Sequence, residues 1–292
     1  MTAVTLDQLR QMCKVAPNES NMKSLHTSLD LYGPKFNLDA PQILPHFLCQ
    51  WMHESGSFKY DKEIWGPTPA QKRYEGRKDL GNTQPGDGKK FMGRTAAQLT
   101  GRANYRAFTK WCRENIKDRA VPDFEKNPDL INQDPWEGLA PIWYWVYGNP
   151  ERKSLNKYAQ DNNIEMVTKR INGGHNGLGD RIEYYVRCAL VLQGYKIGKT
   201  DKTLAAAVKQ FQTARKMKVI DGIAGQATRQ ELHIALGGKN PFKEVVKVDK
   251  PVAVDKPVAV VPENVEKPWY KEPDQVLQTV TGPAGITMYG WF

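Results

Sequence analysis

Apolar residues over positions 1–238 recur at three- and four-residue spacing and almost never alternate, which confines the chain to a mainly helical fold. Leu6, Leu9 and Met12/Cys13 mark one stripe near the start. Over 40–54, Ile43, Phe47 and Trp51 fall four residues apart, and Pro45 demands a late helix start or a kink. Residues 180–193 carry Ile182, Tyr185, Ala189 and Leu192 on one face and stop at Gly194. A shorter unit follows. Thr200 or Asp201 caps a helix bearing Leu204, Val208 and Phe211, then come an Asp221-Gly222 turn and a helix with Leu232 and Leu236 that ends at Gly237-Gly238. So short a unit buries little and is expected to lean on its neighbour. VDKPVA then occurs twice in tandem, at 248–253 and 254–259, and proline recurs to 268, as in a solvated linker. The expected organisation is a first domain over 1–193, a small module over 194–238, a linker over 239–275 and an apolar tail over 276–292.

Charge narrows the partner. A net charge of +10 points to a polyanion: nucleic acid, an anionic membrane or an acidic wall polymer. Half of it is concentrated in 194–238, where eight Lys or Arg face three acids, while 239–274 is neutral with seven of each sign. The small module is therefore the part expected to meet an anionic surface. No nucleic-acid motif with interleaved aromatics is present, so nucleic acid is not the expected partner. Cys13, Cys49, Cys112 and Cys188 lie far apart without ligand spacing, which argues against a zinc site. Buried free thiols are the plainer reading and disulfides the alternative. The opening MTAVTLDQLRQM lacks a basic-then-apolar leader, and no stretch is long enough to span a bilayer, so a soluble cytosolic chain is expected. Membrane contact by the tail stays open, and a monomer is the expectation.

Cleaving a glycosidic bond takes one carboxylic acid to protonate the leaving oxygen and a second carboxylate to activate water or attack the sugar. His53-Glu54-Ser55-Gly56 puts a glutamate where an apolar helix runs into glycine. There the negative end of the helix dipole and the aromatics Trp51 and Trp65 favour the protonated form that a general acid needs. FLCQWMHES, with Glu54, resembles the catalytic-helix motif of family 19 glycoside hydrolases, the chitinase-like group that includes many phage endolysins. EIWGPTPAQKRYEGRKDLGN, GRTAAQLTGRANYRAF and INGGHNGLGDRIEYY resemble further blocks of that family in the same order, NPDL at 127–130 also matches, and together they cover roughly residues 30–193.

This resemblance implies a lysozyme-like catalytic domain split into lobes by a cleft, with Glu54 as general acid. Gln98, Thr100 and Asn104 would hold substrate and the attacking water, Asn172 would line the sugar subsites, Arg181 would neighbour the carboxylates, and Trp65 and Tyr74 join the substrate-binding set. Either Glu63 or Glu75 is the second carboxylate. Spacing in the chitinase branch favours Glu75 and the EIWGPT block favours Glu63, with the balance slightly toward Glu63. Inversion is implied, with carboxyls about 6.5–9.5 Å apart. One departure stands out: the family usually has glycine where this chain has Thr95, and a β-branched residue tolerates positive φ poorly, so a different loop geometry is expected.

Residues 201–236 resemble the peptidoglycan-binding module 1 family, a small three-helix-type unit whose first helix here is short or merged with 186–195. Phe211, Asp221, Arg215 and Lys218 are its candidate wall-binding residues. The combined expectation is an endolysin that cleaves the β-1,4 bond between N-acetylmuramic acid and N-acetylglucosamine, held in the host cytoplasm until lysis and then acting at the peptidoglycan layer, with no metal or organic cofactor. A chitinase on the same scaffold and a non-catalytic wall-binding protein are the alternatives.

Overall fold

The computed structural model describes residues 3–238; the expected linker and apolar tail lie outside the described residues. Its first helix, α1 (Leu6–Met12), opens on a capping box in which Thr5 and Gln8 satisfy each other's backbone N–H groups. The second, α2 (Glu19–Tyr32), is capped by Asn18. Next comes α3 (Leu44–Glu54), with Pro45 in its first turn, where a missing N–H costs nothing; the helix starts late rather than kinking. Every residue from Leu44 to Met52 is buried, so α3 runs through the core.

The stretch from Ser55 to Gly101 is irregular, with the short turns α4 (Pro69–Lys72) and α5 (Asp87–Lys90), a 3-10 turn at Lys78–Leu80 between them, and two isolated bridges, Lys62 with Arg94 and Arg94 with Leu99. Regular helices resume with α6 (Arg102–Asn115) and α7 (Trp136–Trp143), the latter passing into a single π-turn at Tyr144–Gly148. Then follow α8 (Asn156–Gln160), α9 (Ile164–Asn172) and α10 (Leu178–Leu192). The chain closes with α11 (Asp201–Ala214), capped by Thr200 rather than Asp201, and α12 (Gln226–Ala235). Among the described residues no strand forms, as the helical spacing predicts.

The pairing of α3 with α10 is the spine of the fold, and α2 with α7 forms the second main pair. Aromatic edges lock the spine to its neighbours: Phe47 meets Trp51 and Trp145, and Trp51 meets Tyr144, at centroid distances of 5.5–5.9 Å. All four cysteines are free and buried, and burial pushes the Cys13 thiol up to about 11 and that of Cys49 up to about 12, which leaves them unreactive.

The small module leans on the first domain, as its size requires. Both α11 and α12 pack on α10, and the described residues gather into one compact unit. Its seam is polar: His233 on α12 contacts the Gln160 carbonyl at 3.0 Å, and Asn162 accepts from Tyr185 while donating to Gln230. His46 of α3 faces His233 at 5.8 Å, and burial followed by that neighbour brings His46 down to about 3. No helix of the described residues is long and apolar enough to cross a membrane.

Candidate active site

Glu54 is the last residue of α3, and its Oε1 pairs with the Arg181 guanidinium from the first turn of α10. Arg181 is almost wholly buried, and its Nη1 donates to Gln50 Oε1 at 2.7 Å. Gln50 precedes Glu54 by one helical turn, so α3 presents an amide and a carboxylate on one face to a single cation. Sequence reading placed Arg181 beside the carboxylates and missed Gln50, although the four-residue spacing was available as a signal. The Glu54 charge contributes to raising the neighbouring Tyr144 phenol, after burial, so Tyr144 stays a neutral donor beside the acid.

His53, next to Glu54, makes a 2.5 Å contact from Nδ1 to Asp180, which also takes Lys14 Nζ at 2.5 Å. Burial alone would raise the Asp180 carboxyl, but hydrogen bonds from His53 and Lys14 outweigh it and bring it down to about 2. This network fastens the end of α3 to the start of α10 beside the Glu54–Arg181 pair. Sequence reading did not single it out.

The chain leaves Glu54 through a costly turn. Gly56, Ser57 and Phe58 have φ of 60°, 63° and 62°, three consecutive residues in the left-handed region. The turn is held from several sides. Ser55 Oγ donates to the Trp51 carbonyl and accepts from Phe58 N, Ser57 Oγ meets the Tyr184 hydroxyl at 2.7 Å and accepts from Lys14 N, and the Phe58 ring is buried. The outcome is a sharp redirection that sends the chain from Glu54 to Glu63 within nine residues.

Glu63 accepts from Gln71 Nε2 at 3.0 Å and the Tyr74 hydroxyl at 3.4 Å on one oxygen, and from Gly93 N at 3.0 Å on the other. Burial and the Glu63 charge push Tyr74 up to about 12, so its phenol remains a donor. A Cβ on Gly93 would lie 2.5 Å from Gln98 Oε1, 3.2 Å from Thr100 Oγ1 and 3.4 Å from Glu63 Oε2. Only glycine permits this close approach. The structure thus brings Glu63, Gln98 and Thr100 together. Trp65 lies at 6.4 Å against Tyr74, whose hydroxyl donates to Glu63.

Glu75 is held by a different loop. It is exposed, and its two oxygens accept from Gly86 N at 2.6 Å and Gly88 N at 2.8 Å, closing the turn that begins α5. Asn104 donates to the Thr100 carbonyl and Asn172 to the Asn176 carbonyl, both at 2.8 Å, so each ties its own loop while staying half-buried.

Thr95 adopts φ of 65° and Gln98 φ of 46°. The expected departure in loop geometry does not occur at Thr95 in the form anticipated: the threonine takes the left-handed conformation that glycine accepts freely. It is held there by Thr95 N donating to the Asp61 carbonyl at 2.5 Å and by Thr95 Oγ1 accepting from Ala97 N. Gln71, which completes a capping box with Thr68 and also donates to Glu63, was legible as a T-x-x-Q pattern but was not read as part of the site.

In the module, Phe211 is fully buried and serves the core rather than a surface. Asp221 accepts from Gln212 Nε2 and Ile223 N, Arg215 pairs with Glu231, and Lys218 is exposed. Among the described residues no cluster of His, Cys, Asp or Glu could hold a metal ion.

Known proteins align with both parts. Residues 184–232 match the model of a putative peptidoglycan binding domain, a match that begins inside α10. A glycosyl hydrolase family 19 domain-containing protein of Haemophilus influenzae is 32% identical over 166 residues, covering 48% of this chain and 74% of that protein. An endochitinase of Arabidopsis thaliana is 30% identical over 154 residues, covering 50% of this chain and 47% of its own length, so the chain spans about half of that relative. Chitinase C from Streptomyces griseus shares the fold with a TM-score of 0.52 at 22% identity, over 68% of this chain and 97% of the other. A bacterial family 19 chitinase does so with a TM-score of 0.51 at 22% identity, over 67% and 98%.

Proposed function

The chain belongs to glycosyl hydrolase family 19, and from that premise we propose that it hydrolyses the β-1,4 bond between N-acetylmuramic acid and N-acetylglucosamine in bacterial peptidoglycan. The observation that carries this reading is a shared helix. α10 supplies Arg181 to Glu54 near its start, and the match to the peptidoglycan-binding model begins at residue 184 of the same helix. The cation that holds the proposed acid and the start of the wall-binding match therefore share one helix, against which the Glu54-bearing α3 packs.

In the proposed reaction Glu54 is the general acid. Its ion pair engages Oε1, which leaves Oε2 to carry the proton to the leaving glycosidic oxygen. Glu63 is the base: it takes a proton from water as that water attacks the anomeric carbon, and the bond to the leaving oxygen breaks as Glu54 protonates it. Gln98 and Thr100 position the water, and their convergence with Glu63 at Gly93 supports Glu63 over Glu75. Trp65 and Tyr74 offer aromatic faces to the sugar, while Asn104 and Asn172 shape the subsite loops. In a cell the activity would serve lysis, with the enzyme reaching the wall from the host cytoplasm as a monomeric endolysin.

Mass spectrometry of digested sacculi tests the substrate: muropeptides with new N-acetylmuramic acid or N-acetylglucosamine reducing ends are expected. Activity confined to chitin would instead favour the second reading, a chitinase, which the names of the Arabidopsis and Streptomyces proteins support.

A further inference from the structure

The loop joining α11 to α12 displays three aliphatic side chains to solvent, Val219, Ile220 and Ile223, at 61%, 49% and 55% exposure. No other segment of the described residues gathers three exposed large apolar residues within five positions. The loop is nevertheless rigidly built. Gln212, buried to 1% exposure, shares its two Nε2 hydrogens among Asp221 Oδ1, the Ile223 carbonyl and Thr228 Oγ1 at 3.0–3.2 Å, and its Oε1 accepts from Gly222 N at 2.9 Å. A single amide thus saturates both of its ends to fix the loop from beneath. Ordering aliphatic side chains in water gains nothing for folding, so a fixed apolar tip points to a ligand.

Cations frame the tip. Lys216 and Lys218 are exposed beside it, and the Lys209 stem lies over Gly222, where an added Cβ would come within 3.0 Å of Lys209 Cγ. The acid within the loop, Asp221, is held by Gln212 and Ile223 N, and Arg215 is paired to Glu231. With Lys209, Lys216 and Lys218 against Asp221 alone, the net charge at the tip is positive. Aromatic platforms, which sugars use for stacking, are lacking: the module's aromatics are Phe211, fully buried, and Tyr195, packed against it at 6.0 Å.

Peptidoglycan offers two chemistries, a glycan that is uncharged once its lactyl groups are amide-linked, and a short stem peptide with alanine methyl groups and free carboxylates. Resting on the wall-hydrolase reading above, we propose that the Val219–Ile223 loop binds the stem peptide, with the aliphatic tip covering alanine methyls and Lys209, Lys216 and Lys218 pairing with the carboxylates. The module then recognises the cross-linking arm of the wall while the cleft works on the glycan.

The test is methyl NMR of the full chain titrated with the free tripeptide L-alanyl-γ-D-glutamyl-meso-diaminopimelate, with the peptide-free N-acetylglucosaminyl-N-acetylmuramic acid disaccharide, and with vesicles containing anionic phospholipid. Saturable shifts of the Val219, Ile220 and Ile223 methyl signals with the tripeptide alone are expected. Retention on sacculi should fall by at least about tenfold in V219S/I220S/I223S whose methyl dispersion elsewhere matches the wild type. Loop shifts with the disaccharide or the vesicles instead, or none with the tripeptide, overturn the proposal. Wild-type release of reducing ends from sacculi is scored separately: release without tripeptide binding leaves the hydrolase reading standing and removes this one, whereas tripeptide binding without release does the reverse.

Discussion

The two carboxylates proposed for catalysis are held in opposite ways. Glu54 ends a regular helix that is buried from Leu44 to Met52 and is fixed by one cation that grips both it and Gln50. Glu63 lies in a stretch without regular structure and is fixed by two side-chain donors and one backbone donor from separate loops. The helical half is stiff because its backbone is satisfied internally. The loop half becomes stiff only by accumulating caps, close glycine contacts and residues forced to positive φ, such as Thr95 and Gln98. The proposed site thus has a helical wall fixed by packing and a loop wall fixed against strain.

Substitutions can break or sharpen that contrast. The largest effect is expected on the helical wall. Arg181→Leu leaves Glu54 and Gln50 facing an apolar side chain, and a loss of about 3–5 kcal/mol in denaturant unfolding is expected, together with loss of hydrolysis. A loss below about 1 kcal/mol would mean that the helical wall does not depend on its ion pair.

Next comes Glu137, buried on α7 and near Asp61 and Asp134 of the adjoining loops. Burial, then those two acids, raise it from 4.5 to about 8. The folded state therefore holds a proton that the unfolded state releases above about 4.5, and stability contributed here falls as pH rises from about 4.5 to 8. Glu137→Gln should remove that slope, stabilising the protein at pH 8 by about 4 kcal/mol and changing it little at pH 5 in thermal unfolding. Equal effects at both pH values would contradict the assignment.

Ser57→Ala probes the turn between the two walls. It removes the hydroxyl that meets Tyr184 and accepts from Lys14 N, and about 1–2 kcal/mol of destabilisation is expected. The smallest effect belongs to Thr95→Gly, which relieves a left-handed β-branched residue. It should raise stability by about 0.5–1 kcal/mol, the strain released exceeding the flexibility gained by the unfolded chain. A destabilised Thr95→Gly protein would show that the hydrogen bond from Ala97 to the Thr95 hydroxyl outweighs the strain.

The same contrast explains what was legible in the sequence. Helical stripes gave α1, α3, α10, α11 and α12, and Thr200 was legible as the cap of α11, because burying one face imposes a period that a single sequence displays. Glu54 was readable as the end of such a stripe. The partner of Arg181 on the preceding turn was readable too, yet Gln50 passed unremarked, since a buried amide has no periodic signature of its own. Glu63 and Glu75 could not be separated by spacing. What distinguishes them is contact across the chain, Gly93 with Glu63 and Gly86 with Glu75, and no local pattern encodes which loop folds onto which glutamate. Thr95 carried a local warning of unusual geometry, but only the bonds to Asp61 and Ala97 explain how a threonine is held at positive φ.

The central claim is that Glu54 and Glu63 work as a pair while Glu75 only closes a turn. Its most direct test is the rate of reducing-end release by Glu54→Gln, Glu63→Gln and Glu75→Gln on the polymer that the wild type cleaves, each protein first verified as folded by thermal unfolding. The account predicts losses of about a hundredfold or more for the first two and a change within a few-fold for the third. Full activity in Glu54→Gln, or an inactive Glu75→Gln beside an active Glu63→Gln, would contradict it.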